Sequence, residues 1–442
     1  MSAAARTPGP RFHTARGVPV FVEPSHELPI VDVEILLRQG AVTDDEATLG
    51  LSRLTAQMLR KGTRALRSEE VDDAIDSMGA SLSIGVGHGW ARLNGSVIQR
   101  NLDRFLELMG SLVTRPALRA SDVARLRRET EAELIALRDH DRGLAHRAFR
   151  RQLFGAHPYG RPIHGTLGTI KAFRREDVAR KHAQLFTAGN VIVGVAGAVQ
   201  EDKLRPAIDA MLRGLPEGPP PAVRLRAPSM KRGRRILVID KPERSQTQVF
   251  LGTLAVRAGE PDYHALLVAN TAFGGSFTSR LMQEIRVKRG WSYGTGSKVG
   301  ADRQREAWTV WSHPAAEQLV DCLRLELELI DAWVERGLNK AELQRAKRYL
   351  VKSHAFDLDT AAKRLEPQLD TELYGLSPDW HPGFVARVRE VTGPAAAAAV
   401  RKHLPVDDLA ITIVATATDA LVRALSDLPG IDRVETVPFD RV

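Results

Sequence analysis

The sequence predicts an α+β protein of two homologous halves, each a mostly antiparallel sheet covered on one face by helices. Three observations lead to that class. Segments recur in the same order at nearly one offset, alternating apolar runs precede stretches of helical period, and a proline-rich stretch divides the chain near its middle. PIVDVEILLRQG alternates like a half-buried strand, reaches Gly40 and then enters an amphipathic helix. SQTQVFLGTLAVRAG does the same and reaches Gly259, 219 residues after Gly40. SDVARLRRETEAEL resembles KAELQRAKRYLVKS, with Arg125 falling on Arg345 at an offset of 220. RKHAQLFTAGNVIVGVAG from Arg180 resembles RKHLPVDDLAITIVATA from Arg401, an offset of 221.

The halves are therefore residues 9–213 and 235–442, joined by a linker over 214–234. That linker holds Pro219, Pro220 and Pro221 in a row, which favours an extended polyproline segment. Within each half an opening strand pair leads into a long helix. A second strand pair follows, LSIGVGHGWARLNGSV in the first half and WSYGTGSKVGADRQREAWTVWSH in the second. Two or more helices come next, and a last helix and strand close each half. The single cysteine, Cys322, lies among apolar residues of helical period and reads as a core thiol; alone it forms no internal disulfide.

Of the 442 residues, 43% are hydrophobic and 26% charged, the balance of a globular chain and not of a disordered or fibrous one. No apolar run approaches the ~18–20 residues of a membrane span. MSAAARTPGPRFHTARG has no apolar core of a signal peptide, which points to the cytoplasm, or to the periplasm should a leader have been removed. The net charge is +9, but the arginines alternate with Glu and Asp along helices such as RLRRETEAELIALRDHDR. No basic block or nucleic-acid motif concentrates the excess, so a nucleic-acid partner is not expected. G-x-S-x-G, P-loop and dinucleotide fingerprints are also missing.

Three segments carry a resemblance. GLSRLTAQMLRKGT at 50–63, FGAHPYGRPIHGT at 154–166 and GGSFTSRLMQEIRVKRGWSYG at 274–294 resemble the pitrilysin and mitochondrial processing peptidase family, the inverzincins. The likeness extends over essentially the whole chain, repeat and linker included. In that family the first helix reads Gly-Leu-x-His-x-x-Glu-His, two imidazoles one turn apart holding zinc beside a carboxylate that activates its water. Here the three positions are Arg53, Ala56 and Gln57. A permanent cation cannot ligate zinc, and alanine offers no base. The family's third ligand, a glutamate on a later helix, falls among Glu129, Glu131 and Glu133, expected here to be solvated or paired. His140, His146, His157 and His164 lie close in sequence, but their spacings match no zinc pattern, and His157 belongs to a Pro158–Gly160 turn. No metal is expected in this chain.

The resemblance implies a role for the second half. Active family members carry an Arg and a Tyr seven residues apart that reach the zinc site, the Arg on the substrate backbone and the Tyr on the developing oxyanion. Arg286 and Tyr293 have that spacing, after Gly274 and Gly275, glycines that permit a tight backbone approach to substrate. Tyr293 is expected on the strand after the helix. A chain that lost the metal but kept this pair reads as the non-catalytic, substrate-binding subunit of a bacterial heterodimeric zinc metallopeptidase. Its partner would be a homologous zinc-bearing subunit, and its substrate an extended or unfolded peptide added as a strand to a sheet edge. The alternative is a homodimeric peptide-binding or scaffold protein without peptidase activity.

Overall fold

The computed structural model describes residues 11–442, so the first two residues of the expected N-terminal domain, 9 and 10, lie outside the described residues. Two six-stranded sheets are formed. The first comprises β1 (Arg11–His13), β2 (Pro19–Pro24), β3 (Ile30–Leu37), β4 (Ser81–Val86), β5 (Ala91–Ile98) and β6 (Val191–Gly197), in the order β1-β2-β6-β3-β5-β4. The second comprises β7 (Arg234–Asp240), β8 (Gln248–Leu254), β9 (Gly296–Val299), β10 (Ala307–Ser312), β11 (Ala410–Ala415) and β12 (Ile431–Pro438), in the order β12-β7-β11-β8-β10-β9. Five of the six positions correspond, β2-β6-β3-β5-β4 to β7-β11-β8-β10-β9, so the repeat read from the sequence is a repeat of topology. The sixth position differs. β1 pairs antiparallel with β2, whereas β12 comes from the other end of the chain and runs parallel to β7.

Residue pattern explains strand placement. β6 is buried at all seven positions because it sits between β2 and β3 with both faces covered, and its sequence is an unbroken run of small and apolar residues. In β3, Val31, Val33, Ile35 and Leu37 enter one core, with helices Leu102–Thr114 and Glu201–Leu212 among its walls. Leu36 points to the opposite face. The second sheet repeats this, Val249 and Leu251 of β8 facing a core that also holds Trp308, Trp333 and the fully buried Cys322.

Beyond the helical layer expected on one face, each sheet carries one helix on its other face, and that helix comes from the opposite half. Ala361–Tyr374 lays Leu365, Leu369 and Leu373 on Phe21, Leu36, Ile192 and Ala196 of the first sheet. Ion pairs flank it: Arg38–Glu372 at 2.6 Å, Arg92–Asp370 at 2.8 Å and Arg364–Glu23 at 2.7 Å. Asp141–Phe154 covers the second sheet, with Phe149 6.2 Å from Phe250 between ring centroids and the Gln152 amide donating to the Arg235 carbonyl at 2.8 Å. Asp141 and Ala361 are 220 residues apart, the period of the repeat, so the two helices are equivalents that have exchanged sheets.

The compact units accordingly differ from the sequence halves. One consists of residues up to 134 with 161–225 and 356–375; the other of 135–160, 226–355 and 376–442. Among the described residues no helix is long and apolar enough to cross a membrane.

Candidate functional site

The helix resembling the zinc helix spans Leu51–Met58. Gly50 caps it with φ of 90°, and a Cβ there would lie 2.8 Å from Gly165 Cα, so glycine is required where this turn meets the His164–Thr166 segment. Asp44 anchors the same turn. Its buried carboxylate accepts from the Ser52 hydroxyl at 2.6 Å and pairs with the buried Lys181 ammonium at 3.0 Å.

At the three positions of interest the chemistry is that of an ion pair. Arg53 donates from Nη2 to Glu133 Oε2 at 3.0 Å, which ties this helix to Ala120–Ala136. Ala56 is a methyl group buried to 1% exposure, and no proton-transfer group occupies its slot. The Gln57 amide oxygen is buried without a hydrogen-bond partner. Lys61 holds Glu129 at 3.1 Å, and Arg125 approaches the same carboxylate at 3.6 Å. Two of the three glutamates expected to be solvated or paired are therefore paired, Glu133 with Arg53 and Glu129 with Lys61.

The four histidines are not brought together. His140 Nδ1 accepts from the Gly143 N–H as a helix cap, His146 meets the Phe250 ring edge-on at 5.5 Å, and His157 Nδ1 accepts from the Tyr159 N–H. His164 belongs to the other compact unit. Among the described residues, one group has the spacing of metal ligands, Glu260, Asp262 and His403, which no sequence motif singles out. Within it Asp262 Oδ2 lies 2.6 Å from Lys402 Nζ and 2.9 Å from His403 Nε2, and Glu260 pairs with Arg257 at 3.7 Å.

The second segment builds a different surface. Helix Tyr263–Phe273 ends at Gly274, whose carbonyl accepts from the Ser297 N–H at 2.9 Å. A Cβ on Gly274 would lie 2.3 Å from Ser297 Oγ, and one on Gly275 would lie 2.9 Å from Thr271 Cα. The close approach these glycines allow is thus to β9 and to their own helix, and Gly274 is buried. A π-helical turn, Met282–Val287, follows, with Leu281, Met282 and Ile285 in the core. Arg280 fixes it by a bidentate pair with Glu342 at 3.0 and 2.9 Å. Lys288 and Arg289 both pair with Glu284.

Arg286 is treated differently from its basic neighbours. It is half-buried and makes no ion pair or hydrogen bond to a side chain among the described residues. Its guanidinium carbon lies 4.8 Å from the centroid of the Phe277 ring and 5.0 Å from that of Tyr293. Tyr293 is 84% exposed. It sits in a bend three residues before β9, not on the strand as expected, because Gly290 turns the chain at φ 67° and the buried Ser292 and Thr295 anchor either side. Ser292 donates to the Gly294 carbonyl at 2.7 Å, which holds the bend with the phenol outward.

Two repeated units of this topology, one bearing a helix that resembles a zinc helix and the other an outward Arg/Tyr pair, define the class of two-domain metallopeptidase-like folds. The chain belongs to peptidase family M16. The family profile described as insulinase (peptidase family M16) matches residues 20–167, and that described as the peptidase M16 inactive domain matches residues 172–350. The chain is similar to an uncharacterized zinc protease of Mycobacterium leprae, 26% identical over 351 residues and covering 78% of each chain. It is also similar to a Helicobacter pylori protein named a non-peptidase homolog, 21% identical over 398 residues, 90% of this chain and 91% of that one. The crystal structure of a peptidase M16 inactive domain from Pseudomonas fluorescens matches with a TM-score of 0.87 at 25% identity, over 92% of this chain and 98% of that one.

Proposed function

We propose that this chain is the non-catalytic, substrate-binding subunit of a heterodimeric zinc metallopeptidase. In this reading Arg286 and Tyr293 act at the zinc site of a homologous partner, which supplies the metal, the base and the hydrolysis. The observation that carries it is Arg286: a half-buried guanidinium without an anion, beside a phenol left in solvent. Such an Arg/Tyr pair suits a carbonyl and an oxyanion arriving from outside the chain. Arg53, Ala56 and Gln57 offer neither a zinc ligand set nor a base, and the name of the Helicobacter relative agrees with that loss.

The backbone also offers an edge for an extended peptide. β9 is an edge strand, but its Ser297 N–H is taken by the Gly274 carbonyl and its Ser297 carbonyl accepts from Asn270 Nδ2 at 3.2 Å. β4 is the corresponding edge of the first sheet. Its Leu82 carbonyl turns away from β5 to accept from Arg60 at 2.9 Å, so the backbone groups of Ile84 and Val86 face the same free side.

The test is co-expression with a homologue from the same genome that retains His-x-x-Glu-His. A 1:1 complex with chelator-sensitive proteolysis, absent from either chain alone, is expected. Proteolysis by this chain alone would refute the reading. A homodimer indifferent to the homologue would transfer the chain to the scaffold class.

A further inference from the structure

The surface around Arg286 asks for something more specific than a peptide backbone. Phe277 is 65% exposed, Val287 59% and Tyr293 84%, three large side chains left in water within one short segment. Lys288 and Arg289 share the single carboxylate of Glu284, and Arg280 pairs with Glu342. Among the basic residues of this segment, Arg286 has no carboxylate partner among the described residues; instead aromatic ring faces lie about it at 4.8 and 5.0 Å. Ring faces attract a guanidinium but accept none of its N–H groups in ordinary hydrogen bonds, and the rigid fork stays available at its edge. A carbonyl would take one or two of those donors and leave the charge uncompensated. A carboxylate takes two and cancels it.

We propose that Phe277, Arg286 and Tyr293 form a carboxylate clamp, and that the peptide bound here carries an acidic side chain at the residue it grips. This rests on the peptide-binding reading and narrows its substrate class. Phe277 is the positioning member: its ring, 4.8 Å from the guanidinium carbon, holds Arg286 beside Tyr293 without touching the ligand carboxylate. Arg286 contacts the carboxylate. The occupant is an internal segment of an extended chain, so the charge comes from a Glu or Asp side chain and not from a terminus.

The test uses a pair of terminally blocked, otherwise uncharged extended peptides differing only by Glu or Gln at the centre. Each is titrated into the full chain, alone and in complex with its zinc-bearing homologue, by fluorescence polarisation. The Glu peptide is expected to bind about tenfold tighter, the factor one charge-assisted pair supplies, with the ratio shrinking as salt rises. Arg286→Gln should bring the ratio to about one. Phe277→Leu should lower it about threefold at unchanged melting temperature, and Phe277→Tyr should restore it. If both peptides bind and bind alike, the clamp is overturned and the peptide-binding reading stands. If neither binds, both fall.

Discussion

Leu369 belongs by sequence to the second half and by packing to the first sheet, which makes Leu369→Ala a discriminating perturbation. Its side chain is fully buried with Leu365 and Leu373 against Phe21, Leu36, Ile192 and Ala196. A Cβ added to Gly194 of β6 would lie 2.9 Å from Leu369 Cδ1, so backbone and leucine are in direct contact and little can relax into the gap. Truncation should therefore cost about 3–5 kcal/mol, the upper part of the range for buried leucines. Hydrogen exchange read by peptide mass spectrometry locates the loss. Protection should fall in β2 and β6, roughly 170 to 350 residues earlier in the sequence, while β8 and β11 keep theirs until global unfolding. Phe149→Ala should do the converse, loosening β8 and β11. If Leu369→Ala deprotects only the second sheet, or costs under about 1 kcal/mol, the exchange of helices is wrong.

Three further outcomes follow. The Glu326 carboxyl is buried in the second core and pushed up to about 8 by desolvation, so it holds its proton more tightly folded than unfolded. Its contribution is fully present below about pH 4.5 and is lost as pH rises through about 8; Glu326→Gln should flatten that part of a denaturation-versus-pH curve, and an unchanged slope would contradict the assignment. Chelator-washed protein should carry zinc at background by elemental analysis, whereas Arg53→His, Ala56→Glu and Gln57→His together should retain about one equivalent, because Glu133 is freed from its pair as a third ligand. A chain nicked by an engineered protease site within 214–234 should still elute as one species without denaturant, since each fragment holds a helix of the other's sheet; separation of the fragments would show that the exchanged helices do not interlock.

Much of the architecture was readable from the residues. The offset of 219 to 221 residues reappears as five matching strand positions, and the apolar run at 191–199 as the central strand β6. The exchange of Asp141–Phe154 with Ala361–Tyr374 was not readable, because an amphipathic pattern says which face of a helix is buried and nothing about which sheet buries it. Tyr293 is expected on the strand after the helix, yet Gly290, at φ 67°, turns the chain and leaves Tyr293 in a bend before β9 begins at Gly296. Among the glutamates near 130, composition could not choose; the pairing of Arg53 with Glu133 across 80 residues is a tertiary fact. The sequence shows Phe277 only as part of a motif, since a ring's contact with a guanidinium nine residues on depends on how the π-helical turn winds.

The central claim is that this chain lends Arg286 and Tyr293 to chemistry performed on its partner's metal. The most direct measurement is steady-state kinetics of the reconstituted complex with a wild-type partner and Tyr293→Phe or Arg286→Ala in this chain. Loss of one oxyanion donor should lower kcat by about 10²–10³ for Tyr293→Phe with KM nearly unchanged. Arg286→Ala should raise KM as well as lower kcat, and Arg286→Lys should recover only part, because a point charge lacks the planar fork. Both side chains lie outside the core, so melting temperatures should match the wild type. Unaltered kcat and KM in a folded, assembled complex would contradict the account.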